Sequence, residues 1–198
     1  MRNRKRLDAD QGRRRHPGQA LVEFALVIPI FLVLVVAIAE FAFLLTVKTG
    51  ITFASEDATQ YAAELGNAAD ADCYILQLIE SDIQAPVDRS RIQSVSIFWT
   101  DLNGSNKGAD TWTRTGNHLC ANGVTIPYTQ ATSGYLPANR CNIVLATGCA
   151  TGHTGVDWIG VTITYAYQWI TPLPGMIGLG GSPPTFVETN TSRLEPIQ

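Results

Sequence analysis

The chain has 198 residues, of which 45% are hydrophobic and 16% are charged, values that are ordinary for a folded protein. Its basic residues are concentrated at one end: seven of the 14 lie in residues 1–18, whereas from Lys48 onward seven basic residues face thirteen acidic ones. The basic start is short, has no interleaved aromatic residues and directly precedes an apolar segment. Nucleic acid is therefore excluded as the expected partner, and membrane topology explains the charge better.

The apolar segment runs from Leu21 to Val47. Only four of its 27 residues are not apolar in character: Glu23, Pro29, Glu40 and Thr46. As a helix it would reach roughly 40 Å, which is enough to cross a hydrocarbon core of about 30 Å. Because the basic cluster precedes the span, we expect a single-pass protein of the cell (inner) membrane, with residues 1–18 in the cytoplasm and the chain after Lys48 outside.

A secretory signal peptide is the alternative interpretation of the same start. Its apolar region usually has about 7 to 15 residues and ends at a small-residue cleavage site. Here the apolar run is nearly twice that length, and the small-residue sequence around Ala37 and Ala39 is followed by further apolar residues. The length criterion favours an anchor over removal after Ala39.

Two carboxylates inside the span call for an explanation, since a charge at the bilayer centre costs on the order of 3 kcal/mol. Glu23 lies near the inner end, where a carboxylate can stay at the headgroup level or serve a function. We expect Glu40 to reach toward the outer interface or to contact another helix.

The residues from Gly18 to Phe24, GQALVEF, follow the basic run and open the apolar helix. They resemble the processing site of Flp-type and TadE-like prepilins: a glycine, four mostly apolar residues, a glutamate and an aromatic residue. The resemblance implies cleavage after Gly18 and a mature chain that begins at Gln19. It also implies that Glu23, next to Phe24, pairs with the new α-amino group of a neighbouring subunit.

The resemblance extends beyond this site. The stretch Ile38 to Ala42 is similar to a second Glu-Phe element of TadE-like helices. The stretches Ile159–Tyr165 and Thr189–Leu194 are similar to the paired terminal strands of that family.

The resemblance implies a minor pilin or pseudopilin of a tight-adherence (Tad/Flp) pilus, which is not an enzyme and needs no cofactor. Its expected partners are the membrane, a prepilin peptidase, and other pilins and Tad assembly components that contact the N-terminal helix.

The remainder predicts an extracytoplasmic α+β domain. Helical periodicity continues to Leu65 and stops at Gly66-Asn67, and a second helix, capped by Asp70 or Asp72, runs to about Ile83. Two-residue alternation then predicts antiparallel strands, with a Gly/Pro-rich loop at 172–184 before the last one. Strands are expected at 95–99, around 111–115, at 159–169, where the alternation is clearest, and at 185–194. The expected organisation is a leader at 1–18, a transmembrane helix with its extension at 19–66 and a domain at 67–198.

Four cysteines lie on the predicted outer side: Cys73, Cys120, Cys141 and Cys149. An even number in an oxidising compartment predicts two disulfides, and three pairings are open. A zinc site that includes His118 and His153 is the alternative, but the spacings match no paired motif, and no metal is predicted.

No catalytic Ser/His/Asp grouping or nucleotide-binding fingerprint is present in the sequence. The rival to a pilin-like subunit is a single-pass surface binding protein that keeps its leader.

Overall fold

The computed structural model describes residues 17–101, 104–144, 149, 152–153, 155–176, 178 and 182–196. Residues 1–16 of the predicted basic leader lie outside this described part. The fold is α+β, as the sequence predicts: a long N-terminal helix leads into a small domain in which helices pack on an antiparallel sheet.

The first helix, α1, spans Pro17–Leu65 and continues through Pro29. At about 1.5 Å per residue its 49 residues extend roughly 73 Å, more than twice the thickness of a membrane core. It ends as predicted, because Gly66 adopts a positive φ of 54° and its amide returns to the Ala62 carbonyl at 3.2 Å.

The two halves of α1 have different surroundings. From residue 18 to residue 39 nearly every side chain is exposed, whereas from Glu40 onward one face is buried at three- and four-residue steps. That face consists of Glu40, Val47, Ile51, Ala54, Ser55, Ala58, Thr59 and Ala62. We call residues 18–39 the bare half of α1 and residues 40–65 the packed half. The head is the packed half together with the described residues that follow it.

The second helix, α2, spans Ala71–Asp82 and buries its apolar face against α1. The predicted cap is wrong: Asp70 precedes the helix in the left-handed region and makes no side-chain capping bond, and Asp72 lies inside the first turn. The Asp70 carboxylate instead accepts a hydrogen bond from the amide of Ala121, at 3.2 Å, because a distant loop comes within reach.

Within the described ranges, seven strands follow α2. They are β1 (Ile92–Thr100), β2 (Asn106–Thr113), β3 (His118–Leu119), β4 (Thr125–Ile126), β5 (Thr129–Ser133), β6 (Trp158–Ala166) and β7 (Thr185–Arg193), with a short helical turn, α3 (Leu173–Met176), before the last. Five form an antiparallel sheet in the order β5-β2-β1-β6-β7, and β3 pairs with β4 in a separate hairpin.

One face of the five-stranded sheet packs on the packed half of α1. In the centre of the sheet Ile97 lies opposite Val161 and Val95 opposite Ile163, and all four are buried. On the helix, the Ser55 hydroxyl donates to the Val161 carbonyl at 3.0 Å. Small helix residues let the sheet approach this closely, and the core of the head is built around the contact.

Candidate functional site

Within the described part of the chain, the bare half of α1 is an apolar rod that is almost entirely exposed. Its 22 residues extend about 33 Å, close to the thickness of a hydrocarbon core. The helix meets the length and composition criteria for a membrane span, and none of its most apolar 18-residue window is buried. The chain thus has one N-terminal helix suited to single-pass membrane anchoring.

Gly18 begins the bare half, and the fold does not require a glycine there. A Cβ atom at this position would meet nothing within 4 Å. At Gly160, by contrast, a Cβ would lie 2.3 Å from the Phe98 ring, so packing explains that glycine.

Glu23 lies on the exposed surface of the bare half, five residues after Gly18. Its Oε1 accepts a hydrogen bond of 2.9 Å from the side-chain amide of Gln19, one helical turn earlier. An amide carries no charge, and no ion pair within the described ranges includes Glu23. The neighbouring Phe24 is likewise exposed. The structure therefore brings Gln19 and Glu23 together on an open surface.

Glu40 has opposite surroundings and is only 5% exposed. Its Oε1 accepts hydrogen bonds from the Tyr167 hydroxyl at 2.9 Å and the Ile170 amide at 3.0 Å, and its Oε2 accepts one from the Thr171 amide at 2.8 Å. In the monomer Glu40 thus binds the non-helical segment that follows β6, and not another helix as one of the two expectations had it. We call residues 167–171 the base segment.

Three donors are well suited to an ionised carboxylate, because hydrogen bonds to a charged acceptor are roughly twice as strong as neutral ones. Desolvation and the hydrogen bond to Glu40 raise the pKa of Tyr167, which therefore stays protonated as a donor. Sequence reasoning did not find Tyr167 as the partner of Glu40. The alternation that continues from β6 places Tyr167 on the core face, but it does not show which residue of α1 the hydroxyl contacts.

The cysteines form two disulfides, Cys73–Cys120 and Cys141–Cys149, as the sequence predicts without deciding the pairing. The first joins α2 to the β3–β4 hairpin across 47 residues, and a loop of that length stabilises a fold by about 4 kcal/mol in the chain-entropy model. Its sulfur atoms are not available as zinc ligands. In the described part of the chain no group of His, Cys, Asp or Glu side chains is arranged to hold a metal ion.

The head also buries charged groups that sequence reasoning missed. Arg140 is hydrogen-bonded to Asp72 and lies over the ring of Tyr135. Asp110 is fully buried and accepts a hydrogen bond from the Tyr135 amide, and desolvation raises its pKa to about 6. These contacts join α2, β2 and the loop at 135–142 to one another within the head, and we interpret them as structural.

Comparison with known proteins identifies one part of the chain. The family model described as TadE-like protein matches residues 18–60, from Gly18 into the packed half of α1. The match does not include β6 and β7, although these strands pair with each other as expected.

No curated protein and no solved structure matches the chain significantly. Residues 18–60 are thus similar to TadE-like proteins, and this similarity covers less than a quarter of the chain.

Proposed function

We propose that the protein is a pilin-like subunit, a minor pilin or pseudopilin, that supports assembly of a Tad/Flp-type pilus after a prepilin peptidase cuts it behind Gly18. The observation that carries the proposal is the bare half of α1: an exposed apolar rod that opens with a glycine its fold does not need and presents an exposed acid five residues later. The TadE-like match, which begins at the same glycine, supports it.

The proposed mechanism is lateral association of apolar helices. Cleavage removes the basic leader and creates a positively charged α-amino group on Gln19. Within an apolar bundle this group pairs with the Glu23 carboxylate of a neighbouring subunit, which offsets two charges that are each costly alone. Glu40 takes no part in this pairing, because three donors of its own chain already bind it.

The proposed orientation places the leader in the cytoplasm and the head outside. Two features support it: the basic residues before the span and the two disulfides after it. The first is typical of the cytoplasmic side, and the second is typical of an oxidising compartment.

The assembly role is tested with two variants of Glu23. Glu23→Leu removes the carboxylate, and we expect it to be cleaved normally but to support several-fold fewer pili, counted on intact, unsheared cells by electron microscopy. Glu23→Asp keeps the charge and serves as the matched control, with a smaller loss. Wild-type piliation by Glu23→Leu would contradict the pairing. An uncut leader together with a normal surface location would instead favour the plain anchored binding protein.

A further inference from the structure

The base segment lies at the level where the bare half ends. About 33 Å of helix separates Gly18 from Glu40, so a bilayer that takes up the bare half has its outer hydrocarbon boundary at Glu40. The amides of Ile170 and Thr171 lie within 3.0 Å of the Glu40 carboxylate. The base segment therefore lies at the same depth as that boundary.

The surface of the head at this depth presents exposed apolar side chains, with the polar Gln168 and the ion pair of Arg91 and Asp88 beside them. Ile170 is 58% exposed, and Phe41, next to Glu40 on the helix, is 60% exposed. Trp169 is half-buried, and its ring packs edge-on against Tyr167 with 5.5 Å between ring centroids. Aromatic residues at the boundary of hydrocarbon and water are typical of membrane proteins, and exposed apolar side chains there gain free energy by entering the lipid.

The hydrogen bonds of the base segment fit a membrane location. Backbone amides that enter a poorly hydrated layer need partners, since an unsatisfied amide in lipid costs several kcal/mol. The Glu40 carboxylate accepts hydrogen bonds from the amides of Ile170 and Thr171, so neither amide is left without a partner. The two amides in turn stabilise the charge of the carboxylate at the edge of the span.

The charged groups farther along α1 mark the other side of this boundary. Lys48 lies eight residues beyond Glu40, about 12 Å along the helix axis, and forms an ion pair of 3.8 Å with Glu188 on β7. An ion pair at that height would lie in the headgroup layer or in water, where its charges remain solvated.

We propose that the head rests directly on the outer leaflet, with Ile170, Trp169 and Phe41 inserted in the interfacial layer of the lipid and the base segment held at that depth by Glu40. The partner is the phospholipid surface around the anchor. This inference uses the membrane orientation of the proposed function but not its pilus role.

The test measures depth with a fluorescent label on the full-length chain in nanodiscs of phosphatidylethanolamine and phosphatidylglycerol. Ile170→Cys carries a polarity-sensitive fluorophore, while the native cysteines are protected as disulfides. We expect blue-shifted emission, strong quenching by lipids with a nitroxide near the headgroup, and several-fold weaker quenching by aqueous iodide than in the control.

The matched control is Ser105→Cys, an exposed position in the turn after β1. It lies beyond Thr100, which pairs with Trp158 at the opposite end of β6 from the base segment, roughly 30 Å away. Its label should show the reverse pattern. Equal iodide quenching at both positions would overturn the proposal.

The role of Glu40 is tested in the same Ile170→Cys background. Glu40→Leu removes the acceptor, and Tyr167→Phe removes one donor as a milder change. We expect iodide quenching to rise several-fold with the first and less with the second, in protein whose head still resists proteolysis. Unchanged protection in a folded Glu40→Leu variant would show that Glu40 does not hold the segment. Neither readout involves leader cleavage or pili, so failure here is distinguishable from failure of the proposed function.

Discussion

The two halves of α1 belong to one unbroken helix, yet they are built for different surroundings. The bare half presents large side chains on all sides, among them Leu21, Phe24 and Ile30. The packed half buries a stripe of small residues, such as Ala54, Ala58 and Ala62, beneath the sheet. Large apolar residues suit a lipid or helix-bundle environment, whereas small ones let a sheet approach closely. Side-chain size along the buried and exposed faces therefore distinguishes the bare half from the scaffold of the head.

The largest expected difference in the free energy of unfolding is between an isoleucine-to-alanine substitution in the packed half and the same substitution in the bare half. Ile51 is 0% exposed and Ile30 is 72% exposed. Ile51→Ala should lower the free energy of unfolding of the head by about 2–5 kcal/mol, since it leaves a cavity in the core. Ile30→Ala should change it by less than about 0.5 kcal/mol. Urea unfolding in detergent, followed by tryptophan fluorescence, measures both. Similar losses for the two variants would contradict the division of α1.

The two glutamates give a second, smaller contrast. Glu40→Leu leaves the Tyr167 hydroxyl and two backbone amides without their acceptor, and it should destabilise the head by about 1–3 kcal/mol. Glu23→Leu removes an exposed carboxylate and should leave unfolding of the head unchanged. The same urea titrations compare the two. A stable Glu40→Leu head would mean that the base segment is held by other contacts.

The smallest effect concerns the pH dependence of the head. Because burial raises the pKa of Asp110 to about 6, the folded state holds this proton more tightly than the unfolded state. The resulting stabilisation is complete below about pH 4 and is lost as pH rises through 6.

Asp110→Asn should remove that loss. We expect the stability of the variant relative to wild type to rise by about 2 kcal/mol between pH 4 and pH 7. Asp72 and Arg140, which lie close to Asp110, are the same in both proteins, so the comparison follows the change at position 110. Glu64→Gln, at an exposed position, serves as the control and should show no such change. Parallel pH profiles for wild type and Asp110→Asn would contradict the prediction.

The sequence predicts the elements that have a long, regular pattern. Helix α1 with its end at Gly66, helix α2 and strands β1 and β6 follow from apolar periodicity, and β7 follows from its place after the Gly/Pro-rich loop. Strand β5, Thr129–Ser133, was missed because it is a short edge strand of mostly exposed polar residues and has no apolar alternation. The hairpin of β3 and β4 has only two residues in each strand, too few for any period.

The contacts of the candidate site were less accessible to sequence reasoning. Gly18 and Glu23 belong to the short motif at residues 18–24, which is recognisable from the local sequence alone. The partners of Glu40 are 127 to 131 residues away along the chain, and no local pattern connects them. The disulfide pairing likewise depends on how α2 meets the β3–β4 hairpin, which is a property of the folded chain.

The central claim is that the bare half becomes the N-terminus of the mature protein. The most direct measurement is the N-terminal sequence and intact mass of the protein extracted from membranes of cells with an active prepilin peptidase. The account predicts a chain that begins at Gln19, and it predicts that Gly18→Leu accumulates as the full-length precursor although its fold is unaffected. A wild-type protein that still begins at Met1 in those cells would contradict the claim.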